Sequence, residues 1–250
     1  MPRLVFHTMG TVVSVVSVQP IDPPLAARIE ETFADADARF SLYSPVSEIS
    51  RIARGELALA SSSEEMREMY DLANDWRNAT GGSFTPNRPD GVVDLSGVVK
   101  AWAMRRAASL LDAGSACDWC LNVGGDVVTN GRDVGGRPWT VGIVDPESRS
   151  ELLTALVVSD ARPAVATSGS AERGDHIWTV SADRSDFVQV SVAAPDIIMA
   201  DVLATAIVSA GPAGIDDLTA TWPIDVLAVH RDGSLVATPG MRAAIDAYPA

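Results

Sequence analysis

Lysine, cysteine and histidine are all scarce in this chain, and each scarcity excludes something. Of 19 basic residues only one, Lys100, is a lysine. Against 33 acidic residues this leaves a formal net charge of −14. A field of that sign repels nucleic acid and anionic membrane surfaces, so neither is expected as a partner. The two cysteines form a single Cys-x-x-Cys pair, Cys117 and Cys120. That spacing suits a redox pair or half a zinc site. There is no second such pair, and the three histidines are scattered at His7, His176 and His230, so zinc is not expected. Two reduced thiols near a strand edge are the plainer reading. No stretch reaches the ~18 apolar residues of a membrane span. Met1 to His7 lacks the apolar core of a signal peptide, which makes a cytoplasmic location the expectation. Nucleophile-elbow, Walker A and dinucleotide glycine patterns are missing as well.

What remains is enough for a large core. The chain has 250 residues, 47% of them hydrophobic, and a chain of that length buries roughly three quarters of its extended surface. Met9 to Val18 is rich in β-branched residues and reads as a strand. Pro24 to Phe40 places Leu25, Ile29, Phe33 and Ala36 at helical spacing. Phe40 to Arg51 reads as a turn-rich segment leading into a short helix, and Ser61-Ser62-Ser63-Glu64 opens a longer one that ends at Thr80-Gly81-Gly82. Gly81 to Gly91 is a loop by composition. Strands follow. Leu121 to Val128 reads as one strand interrupted by Gly124-Gly125, a pattern that marks a bulge or a close approach. Pro138 to Val144, Leu152 to Val158, Pro163 to Thr167 and Phe187 to Val192 continue a sheet. Met199 to Ala210 reads as a last, apolar helix, and Val226 to Val229 as a strand. Neither linker nor repeat divides the chain. The expectation is one α+β unit over residues 1–250, with mixed or antiparallel sheets, flanking helices and a bilobal outline.

Chemistry-bearing residues concentrate in Val92 to Trp102. This stretch reads as a short apolar strand running into a helix, with Ser96 as N-cap and Gly114 as C-cap. Such a turn offers free amides and the positive end of a helix dipole to a phosphate, and Lys100 adds a cation one turn in. An ordinary strand–helix junction with a solvated lysine has the same sequence. Asp201 and Thr205 are four apart, so they share one face of an otherwise apolar helix. A carboxylate and a hydroxyl are hard oxygen donors of the kind magnesium takes beside phosphate and water oxygens. They are equally an Asp near a helix start and a Thr bonded back to a carbonyl. His176, in a polar loop, is either a general base or a surface histidine.

The order of the blocks is more specific than any one of them. Met9-Gly10-Thr11 comes first, then Phe40-Ser41-Leu42-Tyr43-Ser44-Pro45 and Thr80-Gly81-Gly82-Ser83-Phe84. Asp94-Leu95-Ser96-Gly97-Val98-Val99-Lys100 follows, then Asn122-Val123-Gly124-Gly125-Asp126. Ala166-Thr167-Ser168-Gly169 with His176 comes next, and Ala200-Asp201-Val202-Leu203-Ala204-Thr205 is last. From end to end this resembles the ApbE family, the FAD:protein FMN transferases. The resemblance implies an ApbE-like bilobal fold that binds FAD and Mg2+. It implies transfer of FMN to a Thr or Ser hydroxyl of a target flavoprotein, with release of AMP. It also implies roles: Gly97 (by its carbonyl), Asp201 and Thr205 for the metal, His176 as base, and Met9, Tyr43, Asp94, Lys100, Thr167, Ser168 and Gly169 for FAD. The same scaffold could instead split FAD with water, giving FMN and AMP, or bind FAD without turnover. Four departures from the family pattern stand out: Ala101 after the lysine where glycine is usual, Ala53 where asparagine is usual, neither Pro nor Gly in the segment after His176 where Asp-Pro followed by Gly is usual, and a short loop between Phe84 and Asp94.

Overall fold

A computed structural model describes residues 1–114, 117–169 and 185–248. The chain opens with a hairpin, β1 (Arg3–Thr8) and β2 (Thr11–Ser17), turned by Met9-Gly10. Both turn residues have positive φ, 49° and 70°, the backbone that matches a two-residue hairpin to strand twist. Helices follow: α1 (Pro23–Phe40), α2 (Glu48–Ala53), α3 (Glu64–Ala79) and α4 (Ser96–Ala113). Each of the first three begins at a polar cap. Asp22 accepts from the Leu25 N–H, Ser47 from Ser50, and Ser63 from Met66. The side chains that α1 buries are Leu25, Ile29, Phe33, Ala36 and Phe40, the stripe its spacing predicts.

The second half builds the sheet from β3 (Trp119–Val123), β4 (Asp126–Asn130), β7 (Ala164–Gly169), β8 (Phe187–Ala194), β9 (Asp225–His230) and β10 (Leu235–Ala237). Its order is β1-β2-β3-β4-β7-β8-β9-β10, and every pairing is antiparallel. A separate ribbon pairs β5 (Thr140–Val144) with β6 (Leu152–Val157). Helix α5 (Ile197–Ala210), α6 (Pro212–Thr221) and α7 (Pro239–Asp246) complete the described elements.

Two cores lie on opposite faces of the one sheet. Val128, Ala164, Ala166, Val192, Ala194, Val226 and Ala228 join the helices in the larger core. Their strand neighbours Val127, Val165, Ala193 and Leu227 join Val141, Ile143, Leu156 and Met241 in the smaller one. Successive strand residues point to opposite faces, so this alternation sets helices on one side and the ribbon with α7 on the other.

Several expectations need correction. Gly124-Gly125 is not a flaw within one strand: it is the turn of a hairpin in which Val123 faces Asp126, with φ 61° and 100°. Val92-Val93 forms no strand, only a single bridge from Val93 to Asn87. Ser96 is the first residue of α4, not its cap, and its N–H is taken instead by Asp94 Oδ1 at 2.9 Å. Gly114 does close α4, but at φ −85°. It is glycine for space, since a Cβ there would lie 2.8 Å from Leu25 Cδ2 of α1. Leu152 to Val158 belongs to the ribbon, apart from the main sheet. The apolar helix is followed by α6 and α7, both with proline in the first turn, where its missing N–H costs nothing.

Candidate functional site

The chemistry gathers on the helix side of the sheet, where β4 begins and β7 ends. Asp126 opens β4 and is 1% exposed. Its Oδ1 accepts from the backbone N–H of Thr167 at 3.0 Å, and its Oδ2 lies 2.5 Å from Lys100 Nζ. The lysine reaches in from the second turn of α4, its side chain 13% exposed. The same Nζ stands 3.8 Å from Asp201 Oδ2, an electrostatic contact beyond hydrogen-bond reach. Asp201 is 5% exposed on α5, a helix whose other buried residues are apolar save Ser209. One turn on, Thr205 Oγ1 is 3.0 Å from Ser168 Oγ on β7. Four elements therefore meet through Lys100, Asp126, Asp201, Thr205 and Ser168.

Thr167 takes part through its backbone alone. Strand alternation turns its side chain to the opposite face, where its hydroxyl is 2.8 Å from that of Ser191. Gly169 ends β7 against the Val188 carbonyl and Gln189 Cα, so close that no Cβ fits. Gly97 stands one turn before Lys100 on α4. A Cβ there would lie 2.8 Å from Cε2 of the buried Phe84 ring, which explains the glycine sterically. Met9 occupies the β1–β2 turn beside the β3–β4 turn: Gly124 donates to the Val12 carbonyl, and its Cα packs on Thr11. Asp94 sits at the mouth of α4. Tyr43 lies between α1 and α2, 93% exposed, making no ring contact or hydrogen bond among the described residues. His176 falls outside the described residues.

Asp126 is the participant that sequence reasoning passed over, because Gly-Gly-Asp alone is too short to be specific. A signal was present. A buried lysine needs a counter-charge, and a carboxylate at a strand head behind two turn glycines is well placed to supply one. Cys117 and Cys120 play no part in the cluster. Both are free; Cys117 is exposed, whereas Cys120 on β3 packs against the smaller core and burial pushes its thiol up to about 11. A cavity of about 500 Å3 lies elsewhere, between the end of α4, β4 and the start of α5. Its two indoles are already satisfied, Trp119 by Asp112 Oδ1 at 3.1 Å and Trp139 by the Asn130 carbonyl at 2.9 Å.

The fold is that of the solved flavin transferases. The ApbE protein of Thermotoga maritima superposes with a TM-score of 0.80 at 22% identity, covering 97% of this chain and 98% of that one. The flavin transferase ApbE of Vibrio cholerae does so at 0.79 and 21%, covering 96% and 98%. At the level of sequence, the model of the ApbE family matches residues 9–88 and 85–228, so the chain belongs to the ApbE family. Among relatives, the FAD:protein FMN transferase of Rhodobacter capsulatus is 33% identical over 179 residues, 67% of this chain but 34% of that protein. The enzyme of that name from Klebsiella pneumoniae is 28% identical over 168 residues, 62% of this chain and 48% of its own length. The matches thus span between a third and a half of these relatives.

Proposed function

We propose that residues 1–250 act as one unit, an FAD:protein FMN transferase that moves FMN from FAD to a Thr or Ser hydroxyl of a target flavoprotein. The observation that carries this reading is the Asp201–Thr205 pair of α5 set beside Lys100 of α4. It unites hard oxygen donors with the chain's one lysine, the combination a pyrophosphate and its metal ion require. Magnesium fits the donors present. Among the described residues no group of three or more acidic, histidine or cysteine side chains forms an all-protein cage. One carboxylate, one hydroxyl and the Gly97 carbonyl would leave positions for phosphate and water oxygens. When bound, the ion neutralises charge on the pyrophosphate.

The protein's own groups then orient and hold. Lys100 faces the phosphates, and the α4 mouth with Asp94 and Gly97 presents helix amides to them. Ser168 steadies the Thr205 hydroxyl. Met9, Tyr43, Thr167, Ser168 and Gly169 line the FAD site, and the exposed Tyr43 ring is available to stack on a flavin or adenine. His176 serves as base. The acceptor hydroxyl oxygen bonds to the FMN phosphorus, and its proton passes to His176. The bond from that phosphorus to the bridging oxygen breaks, and AMP departs with the electron pair.

The test is AMP release from FAD by the wild type and by Asp201→Ala, with an acceptor flavoprotein present, in Mg2+ and in chelator. Metal-dependent release that falls by at least on the order of a hundredfold in the variant is expected. Release that ignores both chelator and substitution would overturn the reading.

A further inference from the structure

We infer that Asp126 is a positioning residue for the transfer, fixing Lys100 against the sheet so that its ammonium is held in place before FAD arrives. This inference rests on the transferase reading. Asp126 uses both carboxylate oxygens. Oδ1 takes the Thr167 N–H, and Oδ2 takes the Lys100 ammonium. The first contact stands where a backbone rung would otherwise be. The β4–β7 ladder pairs Val127 with Val165 and Val128 with Ala164 and continues one way through the Thr129 N–H to the Pro163 carbonyl; among the described residues it does not reach Thr167 the other way. Beyond it β7 pairs only with β8, through Thr167, Ser168 and Gly169. The side chain of Asp126 therefore replaces the missing carbonyl and closes the ladder at the point where the strands part. Lys100 enters at that parting, with Asp201 behind it at 3.8 Å.

A lysine is a flexible four-carbon stem with a point charge at its end. Left unrestrained it samples many rotamers, and ordering it has an entropic cost at every turnover. An ion pair with a carboxylate that is itself locked to the backbone removes that freedom in advance. The geometry also explains the sequence around it. Gly124 and Gly125 turn the chain tightly at positive φ, which sets Asp126 at the first position of β4.

The inference predicts an effect on turnover exerted through Lys100, separable from any effect on folding. The experiment is a double-mutant cycle of Asp126→Asn and Lys100→Ala, reading kcat for AMP release, FAD affinity by flavin fluorescence, and thermal midpoint. Asparagine keeps an oxygen for the Thr167 N–H and loses the charge that holds the lysine. Asp126→Asn is expected to lower kcat on the order of tenfold to a hundredfold with FAD affinity changed less than about threefold. In the Lys100→Ala background the same change should cost almost nothing further, because the group it acts through is gone. Losses that multiply in the double mutant, or a thermal midpoint that falls in proportion to kcat, would make Asp126 a fold residue and overturn the inference. So would an Asp126→Asn protein with wild-type kcat. A wild type that neither binds FAD nor releases AMP would sink the transferase reading itself, an outcome distinct from these.

Discussion

At the scale of single residues, most identities in and around the site have a physical reason that can be checked. Gly97 is the clearest. Its carbonyl is proposed for the metal, but its missing side chain is demanded by the Phe84 ring, 2.8 Å from where a Cβ would stand. Gly97→Ala keeps the carbonyl and adds the clash, so it should cost about 1–3 kcal/mol of stability. Urea unfolding would measure it, and an unchanged midpoint would show that Phe84 yields freely. Cys120 offers a second check, through pH. Burial pushes its thiol up to about 11 from an ordinary value of 9.0. Below the ordinary value both folded and unfolded chains keep the proton, and the contribution to stability is whole. Between about 9 and 11 the unfolded chain loses its proton first, so stability falls as pH rises, by on the order of 2 kcal/mol. Cys120→Ala should show a shallower decline in urea midpoint over that range than the wild type. Parallel declines would contradict it.

At the scale of elements, capping and spacing account for what was legible. The stripe of α1, the existence and end of α3 and the apolar run of α5 follow directly from residue pattern. Asp196 caps α5 through the N–H groups of Ile198 and Met199. Asp196→Ala should therefore destabilise the protein by about 1 kcal/mol, readable by urea unfolding. The proposed Mg2+-dependent AMP release should be unchanged, since Asp201 and Thr205 are untouched. The elements that escaped were set by contacts distant in sequence. Gly124-Gly125 looks like a strand defect until Val123 is seen facing Asp126. Val92-Val93 has strand-forming residues, but Asn87 offers it one bridge and no strand to join. β10 is three residues long and exists only by pairing with β9. The site divides in the same way. Asp201 and Thr205 stood out as polar residues in an apolar helix and Lys100 as the one lysine at a helix start, whereas Asp126 acquired meaning only when β4 brought it to Lys100.

At the scale of the whole molecule, one sheet carries both cores, and β4, β7, β8 and β9 donate side chains to each. Neither core can lose its strands without stripping the other. Leu156→Ala, in the smaller core, should cost about 2–5 kcal/mol. Calorimetry should still show a single transition shifted downward, and two separated transitions would contradict a single folding unit. That common sheet is also what holds α4, α5, β4 and β7 in register around Lys100. Where the flavin goes separates a transferase from a hydrolase. The wild-type protein is to be incubated with FAD, Mg2+ and an acceptor flavoprotein, and AMP and acceptor-bound flavin counted together. The prediction is one covalently bound FMN on the acceptor for each AMP released, and no AMP when the acceptor's Thr or Ser is replaced by alanine. AMP released in step with free FMN, whether or not the acceptor is present, would contradict it and make the protein a hydrolase.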